Sequence, residues 1–504
     1  MLQAAVEALQ NLAQFQNLLF VLLGVSVGML VGILPGLGGT VGMSLVLPFL
    51  FGMEPDRAIA LMIGTAAVIH TADTFPSVLL GVPGSSGSQA TIMDGYPLAR
   101  QGQAARALSA AFFASMIGGL IGAITLFLIL PVARPIVLAF GSPELLMLAV
   151  LGLSMVSVLA GKRPLRGLIA AGLGLMLGSV GGAPTTPFYR YTFDAIYLYD
   201  GVPLAVLALG LFALPEILDL LAEGKAISQT TKLTSMRAAW AQGLRDVIQN
   251  KLLVLRSAAL GVGVGFIPGL GGAVVDWISY GAARQTVKDG ENFGKGDIRG
   301  VIAPESSNNA KEGGALIPTL LFGIPSSGGT AVMLGAFILL GLQPGPRMLT
   351  ANLDVTLFII WTLALANVFG TLACLLMSGF VARLATVPIS RLAPFLLIVM
   401  LVGAFQSSRS WGDLIAFLIV GLLGWALRRL EFPLPPLLIG FVLAEGVERY
   451  LWLSTARYGF GFLARPGVII LGLITVALTF TSIRLNRRTA KSQSDTLKSA
   501  EASA

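Results

Sequence analysis

Residues 32–42 read GILPGLGGTVG, and residues 265–275 read GFIPGLGGAVV. Both stretches lie within long apolar segments that would otherwise favour continuous helices. Proline removes a backbone donor and glycine disfavours helix interiors, so each stretch predicts a helix that stops and then resumes. We expect the resumed half-helices to begin at 39–42 and at 272–275.

A second pair of motifs follows the first in the same order. The stretch PSVLLGVPGSSGSQATIMDGY at 76–96 aligns with PTLLFGIPSSGGTAVMLGAFI at 318–338, and this alignment matches Ser85 with Ser327. Two motif pairs at nearly the same spacing predict an internal repeat, and the second motifs predict hairpin tips. Paired, Gly/Pro-interrupted apolar segments are typical of secondary transporters, in which they mark the substrate site.

The composition predicts a polytopic membrane protein. Of 504 residues, 55% are hydrophobic and 12% are charged, whereas soluble domains carry about 25% charged residues. Apolar runs of about 20 residues can cross a bilayer. Candidate spans lie near 107–131, 143–160, 166–182, 202–222, 353–380, 393–406, 412–427, 434–452 and 467–483.

Several classes of site and partner are disfavoured. A single cysteine, Cys374, excludes an internal disulfide framework, and with one histidine, His70, it argues against a zinc site. The net charge of +8 comes largely from short loops and the C-terminal tail, as the positive-inside rule predicts, so it does not indicate nucleic-acid binding. We expect membrane lipid as a partner and no cofactor or metal, apart from Na⁺ or H⁺ as a coupling ion.

Loop charges predict the orientation of the chain. Basic clusters around Lys162, through 225–256, at Arg428 and after Arg484 are assigned to the cytoplasm, and the aromatic-rich stretch 185–200 to the outer face. With the N-terminus outside, the two repeats are inverted. The predicted divisions are an interfacial helix at 1–17, a first membrane repeat at 18–224, a cytoplasmic linker at 225–249, a second membrane repeat at 250–483 and a disordered cytoplasmic tail at 484–504.

The breaks and tips supply the predicted substrate site. A helix N-terminus carries roughly half a positive charge and free N–H groups, and glycine lets an anion approach them closely. The alternative is that these glycines only allow close helix packing. The substrate-binding candidates are Gly36, Gly38, Gly39, Thr40, Gly84, Ser85, Ser86, Gly269, Gly271, Gly272, Asn308, Asn309, Lys311, Ser326, Ser327 and Gly328.

Acidic residues beside or within apolar segments are the candidates for cation coupling, because charges at membrane depth are costly and usually functional. The acidic candidates are Asp73, Asp276 and Glu305, and Thr74 beside Asp73 is a fourth, uncharged candidate. Two alternatives remain open: an Asp73–His70 hydrogen bond that stiffens a hairpin, and a solvated loop at 303–314 whose charges pair with one another. The repeat counterpart of Asp276 is Met43, which predicts that the two half-sites are not equivalent.

The PGLGG element, the GVPGSS and GIPSSGG tips and the run APESSNNAKEGG at 303–314 together resemble the large membrane subunit of the tripartite tricarboxylate transporters, the TctA family. The resemblance covers nearly the whole chain except the tail. It implies a bacterial inner-membrane secondary transporter of organic tri- or dicarboxylates such as citrate. It also implies a small membrane subunit, a periplasmic solute-binding protein that delivers substrate, and coupling to a sodium or proton gradient.

The predicted fold is therefore an all-α polytopic membrane protein with a two-fold, inverted repeat, interrupted helices and re-entrant hairpins that move in an elevator-like way. No G-x-x-x-x-G-K-[ST] element occurs, which disfavours an ATP-driven pump. A passive anion channel would share the helix breaks. An intramembrane Ser–His–Asp enzyme would need His70 and Asp73 to meet a tip serine. Neither alternative explains the repeat as well as a transporter does.

Overall fold

The computed structural model of the chain describes residues 1–159, 164–223, 236–270, 272–384, 389–477 and 479–480. The chain is predominantly helical. In chain order, the α-helices α1 to α21 are Leu2–Leu12, Phe15–Ile33, Gly38–Val46, Pro55–Ala72, Thr74–Leu80, Gln89–Leu98, Ala104–Leu138, Ser142–Leu159, Pro164–Gly178, Leu204–Ala208, Leu214–Glu223, Met236–Gln249, Lys251–Gly265, Gly272–Thr286, Arg299–Phe322, Gly328–Leu339, Leu353–Leu384, Ile389–Gln406, Trp411–Arg429, Leu434–Tyr458 and Pro466–Ala477.

Short elements join these helices. The 3-10 helices are Leu47–Leu50, Ser86–Ser88, Ile196–Leu198, Gly290–Asn292, Pro346–Leu349 and Gly459–Ala464, and the π-helical turns are Ala99–Gln103 and Leu209–Ala213. Two strands, β1 at Gly181–Gly182 and β2 at Tyr189–Arg190, form an antiparallel pair. The predicted all-α fold thus holds in the described residues except at this ribbon of two residues per strand. Arg190 of the ribbon donates two hydrogen bonds to Glu448, at 2.8 and 3.1 Å.

Within the described residues, each of the nine predicted spans overlaps at least one helix, although residues 179–182 of the span at 166–182 lie beyond the end of α9. Within the described residues, five segments are long and apolar enough to cross a membrane, and up to seven if each bent helix pair is one span. The five are Phe15–Ile33, Pro55–Leu80, Ser86–Leu138, Leu353–Phe380 and Trp411–Arg429, and the bent pairs are Ala239–Gln249 with Lys251–Gly265 and Leu434–Ala464 with Pro466–Ala477. Of the predicted spans, 434–452 and 467–483 overlap one bent pair.

The chain forms two compact units, and each unit draws on both halves of the sequence. The first comprises Met1–Val137 and Pro203–Trp425; the second comprises Leu138–Val202 and Ala426–Ala504, of which residues 426–477 and 479–480 are described. In the second unit, α20 packs against α8 and α9. Both PGLGG elements and both tip motifs belong to the first unit.

Within the first unit, α2 packs along α4, and α13 packs along α15. Glycines permit the close approach. A β-carbon on Gly28 would lie 2.5 Å from the carbonyl oxygen of Thr65, and one on Gly261 would lie 2.3 Å from that of Ser307. These glycines ahead of the breaks therefore serve close helix packing, which is a different position from the break and tip glycines for which packing was the alternative.

A core cluster of the same unit lies between α6, α7 and the helices α12 to α15. Its members include Val254, Tyr280 and Ile302, all buried. Because these side chains come from both halves of the sequence, the core joins α14 and α15 to the hairpin of α5 and α6. This shared core places the two predicted half-sites in the same compact unit.

Asp94 on α6 fixes the loop that precedes α15. Its Oδ1 accepts from the backbone N–H groups of Gly294, Gly296 and Asp297 at 2.8–2.9 Å, and its Oδ2 accepts from the hydroxyl of Tyr280 at 2.8 Å. Both oxygens of this fully buried carboxylate are therefore satisfied within the protein.

Some predictions fall wholly or partly outside the described residues. The tail at 484–504 lies outside them, as do residues 225–235 of the predicted linker. The rest of that linker is helical, since α12 spans Met236–Gln249. At the N-terminus, α1 at Leu2–Leu12 is the helix predicted within 1–17.

Candidate functional site

The two PGLGG elements interrupt helices as predicted. In the first, α2 ends at Ile33 and α3 begins at Gly38; in the second, α13 ends at Gly265 and α14 begins at Gly272. The second residue of each PGLGG element has a left-handed backbone, with φ +88° and +87°. Glycine adopts this conformation without the steric cost that other residues meet, which explains its presence in both breaks.

Each break is hydrogen-bonded to the hairpin tip of its own half. The N–H of Gly36 donates to the carbonyl of Gly84 at 3.2 Å, and the N–H of Gly269 donates to the carbonyl of Ser326 at 2.9 Å. Gly36 and Gly269 are 233 positions apart, and Gly84 and Ser326 are 242 apart, which are the offsets of the two aligned motif pairs. The same bond therefore occurs at matching positions in both halves.

The tips are closed by matching caps. The Ser85 hydroxyl accepts from the N–H of Gly87 at 3.0 Å, and the Ser327 hydroxyl accepts from the N–H of Thr330 at 3.3 Å. The hydroxyls of Ser88 and Thr330 accept from the N–H groups of Ser85 and Ser327, which completes a capping box at each tip. These two candidate serines thus stabilise turns. Ser86 is exposed, and Gly328 is buried at the start of α16.

Each break also lies against the tip of the other half. A β-carbon on Gly329 would lie 3.8 Å from the carbonyl carbon of Gly39 and 3.9 Å from the nitrogen of Thr40. A β-carbon on Gly272 would lie 3.2 Å from the Cα of Gly87. The starts of α3 and α14 are thus placed beside backbone of the opposite tip. Gly38, the first residue of α3, is near the Ser85 side chain.

The polar run at 303–314 is part of α15 and not a loop. Glu305, Asn308, Asn309 and Lys311 are all buried, with at most 7% of each exposed. The alternative of a solvated loop is therefore wrong, because these side chains face other helices and not solvent. The same alternative also held that the charges of this run pair with one another. This is right for one pair, since Lys311 Nζ contacts Glu312 Oε1 at 2.5 Å.

Glu305 is held by three hydroxyls from three different elements. Thr74 and Ser115 donate to its Oε2 at 2.9 and 2.8 Å, and Thr91 donates to its Oε1 at 2.8 Å. Thr74 is itself a coupling candidate, so these two candidates satisfy each other. Thr91 and Ser115 were missed, since nothing in their local sequence relates them to a residue about 200 positions away.

The other two acidic candidates are less completely satisfied. Asp73 Oδ2 accepts from the hydroxyl of Ser85, and Asp276 Oδ2 accepts from the N–H of Ala90 at 2.5 Å. The Oδ1 atoms of both aspartates are buried and have no hydrogen-bond partner. Both side chains are fully buried.

The two asparagine candidates, Asn309 and Asn308, also differ in whether their side chains have hydrogen-bond partners. Asn309 donates to the hydroxyl of Thr71 at 2.8 Å and to the amide oxygen of Asn367 at 2.9 Å, which ties α15 to α4 and α17. In contrast, neither amide atom of Asn308 has a partner. A β-carbon on Gly87 would lie 2.6 Å from Asn308 Oδ1, so this amide faces the tip of the first half.

His70 forms its closest contact with a residue that is distant in sequence. Its Nε2 lies 3.2 Å from Glu312 Oε1, whereas its Nδ1 is 3.6 Å from Asp73 Oδ2 and has no hydrogen-bond partner. The alternative of an Asp73–His70 hydrogen bond is therefore not borne out, because the two side chains lie 3.6 Å apart, beyond hydrogen-bond distance. The alternative Ser–His–Asp order is not formed either, because the Ser85 hydroxyl donates directly to Asp73.

The structure thus brings most predicted residues together in the first unit. The candidates at the breaks, at the tips and on α15 meet there, while Gly271 lies outside the described residues. Sequence reasoning did not select Glu312, Gly87 or Gly329 as site residues. The two glycines could have been found, because they occupy matching positions 242 residues apart, just after the aligned serines.

Comparison with known proteins agrees with this arrangement of motifs. The family model of the tripartite tricarboxylate transporter TctA family matches residues 18–439. This range includes both breaks, both tips and α15. The chain belongs to this family. The TctA-family assignment makes it a component of a tripartite transporter, and its apolar helices fit a multi-pass membrane protein.

Two relatives of this TctA-family chain come from Agrobacterium vitis. One is an uncharacterized 52.8 kDa protein in the TAR-I ttuC' 3' region, 32% identical over 435 residues, which are 86% of each chain. The other is an uncharacterized protein in the TAR-II ttuC' 3' region, 34% identical over 188 residues, which are 37% of this chain and 78% of the relative. No solved structure matches the chain.

Proposed function

We propose that this chain is the large membrane subunit of a cation-coupled system for uptake of organic tri- or dicarboxylates across the bacterial inner membrane. A periplasmic binding protein would deliver the substrate, and a small membrane subunit would complete the complex. The observation that carries the proposal is the crossed packing of each helix break against the tip of the other half.

The crossed packing supports a carboxylate site for an electrostatic reason. Gly39, in the first turn of α3, lies beside Gly329, and α14 begins at Gly272 beside Gly87. Free N–H groups and the positive end of a helix favour an anionic oxygen, and glycine leaves room for it. Two such helix starts in one unit suit an ion that carries two or three carboxylates.

Lys311 supplies the cationic side chain in this proposal. Its Cε would lie 3.2 Å from a β-carbon on Gly272, so the side chain runs beside the start of α14. Its ammonium is only 2.5 Å from Glu312. We expect a substrate carboxylate to share this ammonium, because a buried anion needs a charged partner to offset the loss of water.

Coupling to a cation follows from the free energy that is lost when an anionic substrate leaves water. A di- or trianion taken out of water is strongly destabilised, and a bound Na⁺ or H⁺ reduces the charge that must be buried. Both breaks and both tips belong to one compact unit, which supports an elevator-like movement of the whole site. The matching bonds at the two breaks support the inverted repeat on which such a movement depends.

Uptake of labelled citrate and other carboxylates into proteoliposomes tests the proposal. The chain would be reconstituted with the small subunit, with and without the binding protein, under separate sodium and proton gradients. The wild type should give gradient-dependent uptake that needs the binding protein. Lys311→Gln should raise the KM or lower uptake by about tenfold or more, the value of a hydrogen bond to a charged group. Lys251→Gln, at an exposed position on α13, is the matched control.

Two results would contradict the proposal in different ways. Absence of uptake for every carboxylate under either gradient would make the substrate class wrong. Rapid carboxylate flux down its own gradient, independent of any cation gradient, would instead identify a passive anion channel.

A further inference from the structure

Two buried carboxylates converge on the first tip and the turn after it, residues 84–90, which we call the tip segment. Asp73 reaches it through the hydroxyl of Ser85, and Asp276 reaches it through the N–H of Ala90. Each aspartate uses Oδ2 for this contact and leaves Oδ1 buried without a hydrogen-bond partner. Unsatisfied buried acceptors are rare in proteins, and an ion is one of the usual reasons for them.

Asn308 brings a third such oxygen to the same segment. It is fully buried, and neither its Oδ1 nor its Nδ2 has a partner, so the result holds whichever way the amide is oriented. It lies against Gly87, in the middle of the tip segment. An amide oxygen does not titrate near neutral pH, so a proton alone does not satisfy it.

The charges around the segment are unbalanced. Asp73, Asp276, Glu305 and Glu312 are four acidic side chains in this region. The basic groups beside them are Lys311 and the imidazole of His70, and both contact Glu312. Glu305 is already satisfied by three hydroxyls, as described above. The unpartnered oxygens of the two aspartates therefore mark the place where a further positive charge would stabilise the protein most.

The matching positions in the other half carry no such oxygens. By the offsets of 233 and 242 residues, the counterparts are Met43 for Asp276, Ala66 for Asn308 and Ala315 for Asp73. The crossed contact of α3 with the second tip thus lacks all three groups. One half-site is polar and acidic, and the other is apolar at the same positions.

We propose that Asp73, Asp276 and Asn308 form a sodium site at the tip segment, with one such site in the chain. Their Oδ1 atoms are hard, oxygen-only ligands, and interrupted helices near the midplane are where transporters hold Na⁺. This inference deepens the proposed function, since the ion would be the coupling cation. It assigns Asn308 to the ion, and leaves Lys311 and the start of α14 to the carboxylate.

Binding of ²²Na⁺ and sodium-dependent thermal stability of the purified full chain in nanodiscs, without carboxylate, test the site directly. The wild type should show saturable stabilisation by Na⁺, with choline replacing it at constant ionic strength. Asp276→Asn and Asn308→Ala should each raise the half-saturating Na⁺ concentration about tenfold or more. Asn308→Asp, which keeps the oxygen, should retain binding and so separates loss of the ligand from loss of the fold.

Matched controls come from the same unit. Asp94 is as buried as Asp276, but both of its oxygens are satisfied by neighbouring donors. Asn17 is 4% exposed and donates to the carbonyl of Asn11 at 2.8 Å. Asp94→Asn and Asn17→Ala should lower thermal stability while leaving the half-saturating Na⁺ concentration unchanged.

The other outcomes overturn either the site or the proposed function, and they can be told apart. Stabilisation by pH alone, with no effect of Na⁺, would assign the aspartates to protons; stabilisation by K⁺ or Ca²⁺ in place of Na⁺ would assign another ion. Unchanged Na⁺ binding in both Asp276→Asn and Asn308→Ala, with uptake intact, would remove the site and leave the proposed function standing. Sodium binding that depends on both residues, in a chain that takes up no carboxylate, would keep the sodium site and contradict the proposed function.

Discussion

The imidazole of His70 contacts the carboxylate of Glu312, with Nε2 and Oε1 3.2 Å apart. These residues are 242 positions apart, the same offset that aligns the two tip motifs, so they occupy matching positions in the two halves. Equivalent positions of a two-fold arrangement touch each other only close to its axis. The pair would therefore lie on the axis of the predicted repeat, between the two tips.

This position makes Glu312 the shared partner of two basic groups. Its Oε1 contacts both His70 and Lys311. Glu312→Gln should destabilise the chain by about 3 kcal/mol, because Lys311 would be left as a buried charge without its anion. A thermal-unfolding series in nanodiscs measures this.

Glu445→Gln is the matched control, since Glu445 pairs with Arg449 on the surface of α20. An exposed i,i+4 pair contributes about 0.5 kcal/mol or less. Equal losses of stability in the two variants would contradict a special role for the carboxylate of Glu312.

The tip glycines differ in the room around them, although they occupy matching positions. A methyl group on Gly87 would lie 2.6 Å from Asn308 Oδ1, whereas one on Gly329 would have its nearest neighbour at 3.8 Å. Gly87→Ala should therefore cost about 1–3 kcal/mol of stability through overpacking. It should also weaken the sodium response, because Asn308 must move.

Gly329→Ala should instead be neutral or stabilise the chain by up to about 1 kcal/mol, since alanine favours the helix that begins at Gly328. The two variants would be compared by thermal unfolding and ²²Na⁺ binding in one set of preparations. A Gly329→Ala variant as damaged as Gly87→Ala would show that the two tips are equally crowded.

The sequence predicted the helix breaks closely, because proline and glycine act on the backbone within a few residues. The expected half-helix at 272–275 begins at Gly272, and the one expected at 39–42 begins one residue earlier, at Gly38. The two tips were predicted equally well, since the stretches GVPGSS and GIPSSGG hold a proline, glycines and serines, which favour turns. The repeat over the full halves and its inversion stay predictions.

Contacts between distant side chains could not be predicted in this way. The polar run at 303–314 gave no sign of whether water or other helices satisfy it, because polarity alone does not distinguish the two. Its burial depends on hydroxyls from α5, α6 and α7, which only the tertiary packing brings to Glu305. The partner of His70 was missed for the same reason.

Asp94 gives a prediction that concerns local opening. Asp94→Ala removes the acceptor for the N–H groups of Gly294, Gly296 and Asp297. Each hydrogen bond to a charged group is worth about 1.5–3 kcal/mol, so amide exchange in this loop should accelerate about tenfold or more. Hydrogen–deuterium exchange with mass spectrometry measures it.

The N–H of Phe266 in the second break, which donates to the carbonyl of Val262 at 3.0 Å, is the internal control. Its exchange should not change in Asp94→Ala. Faster exchange at both places would indicate general unfolding and not release of one loop.

The glycines of α13 test how closely the helices ahead of the breaks must pack. A β-carbon on Gly261 would lie 2.3 Å from the carbonyl oxygen of Ser307, a backbone atom that no rotamer change can move away, whereas one on Gly263 would meet nothing within 4 Å. Gly261→Ala should therefore separate α13 from α15 and cost about 1–3 kcal/mol. Gly263→Ala, two residues away on the same helix, should keep the wild-type melting temperature or raise it.

Because α15 carries Asn308 and Lys311, Gly261→Ala should also weaken sodium binding and carboxylate uptake together. A Gly261→Ala variant that melts normally but loses uptake would show that this packing matters for movement and not for stability.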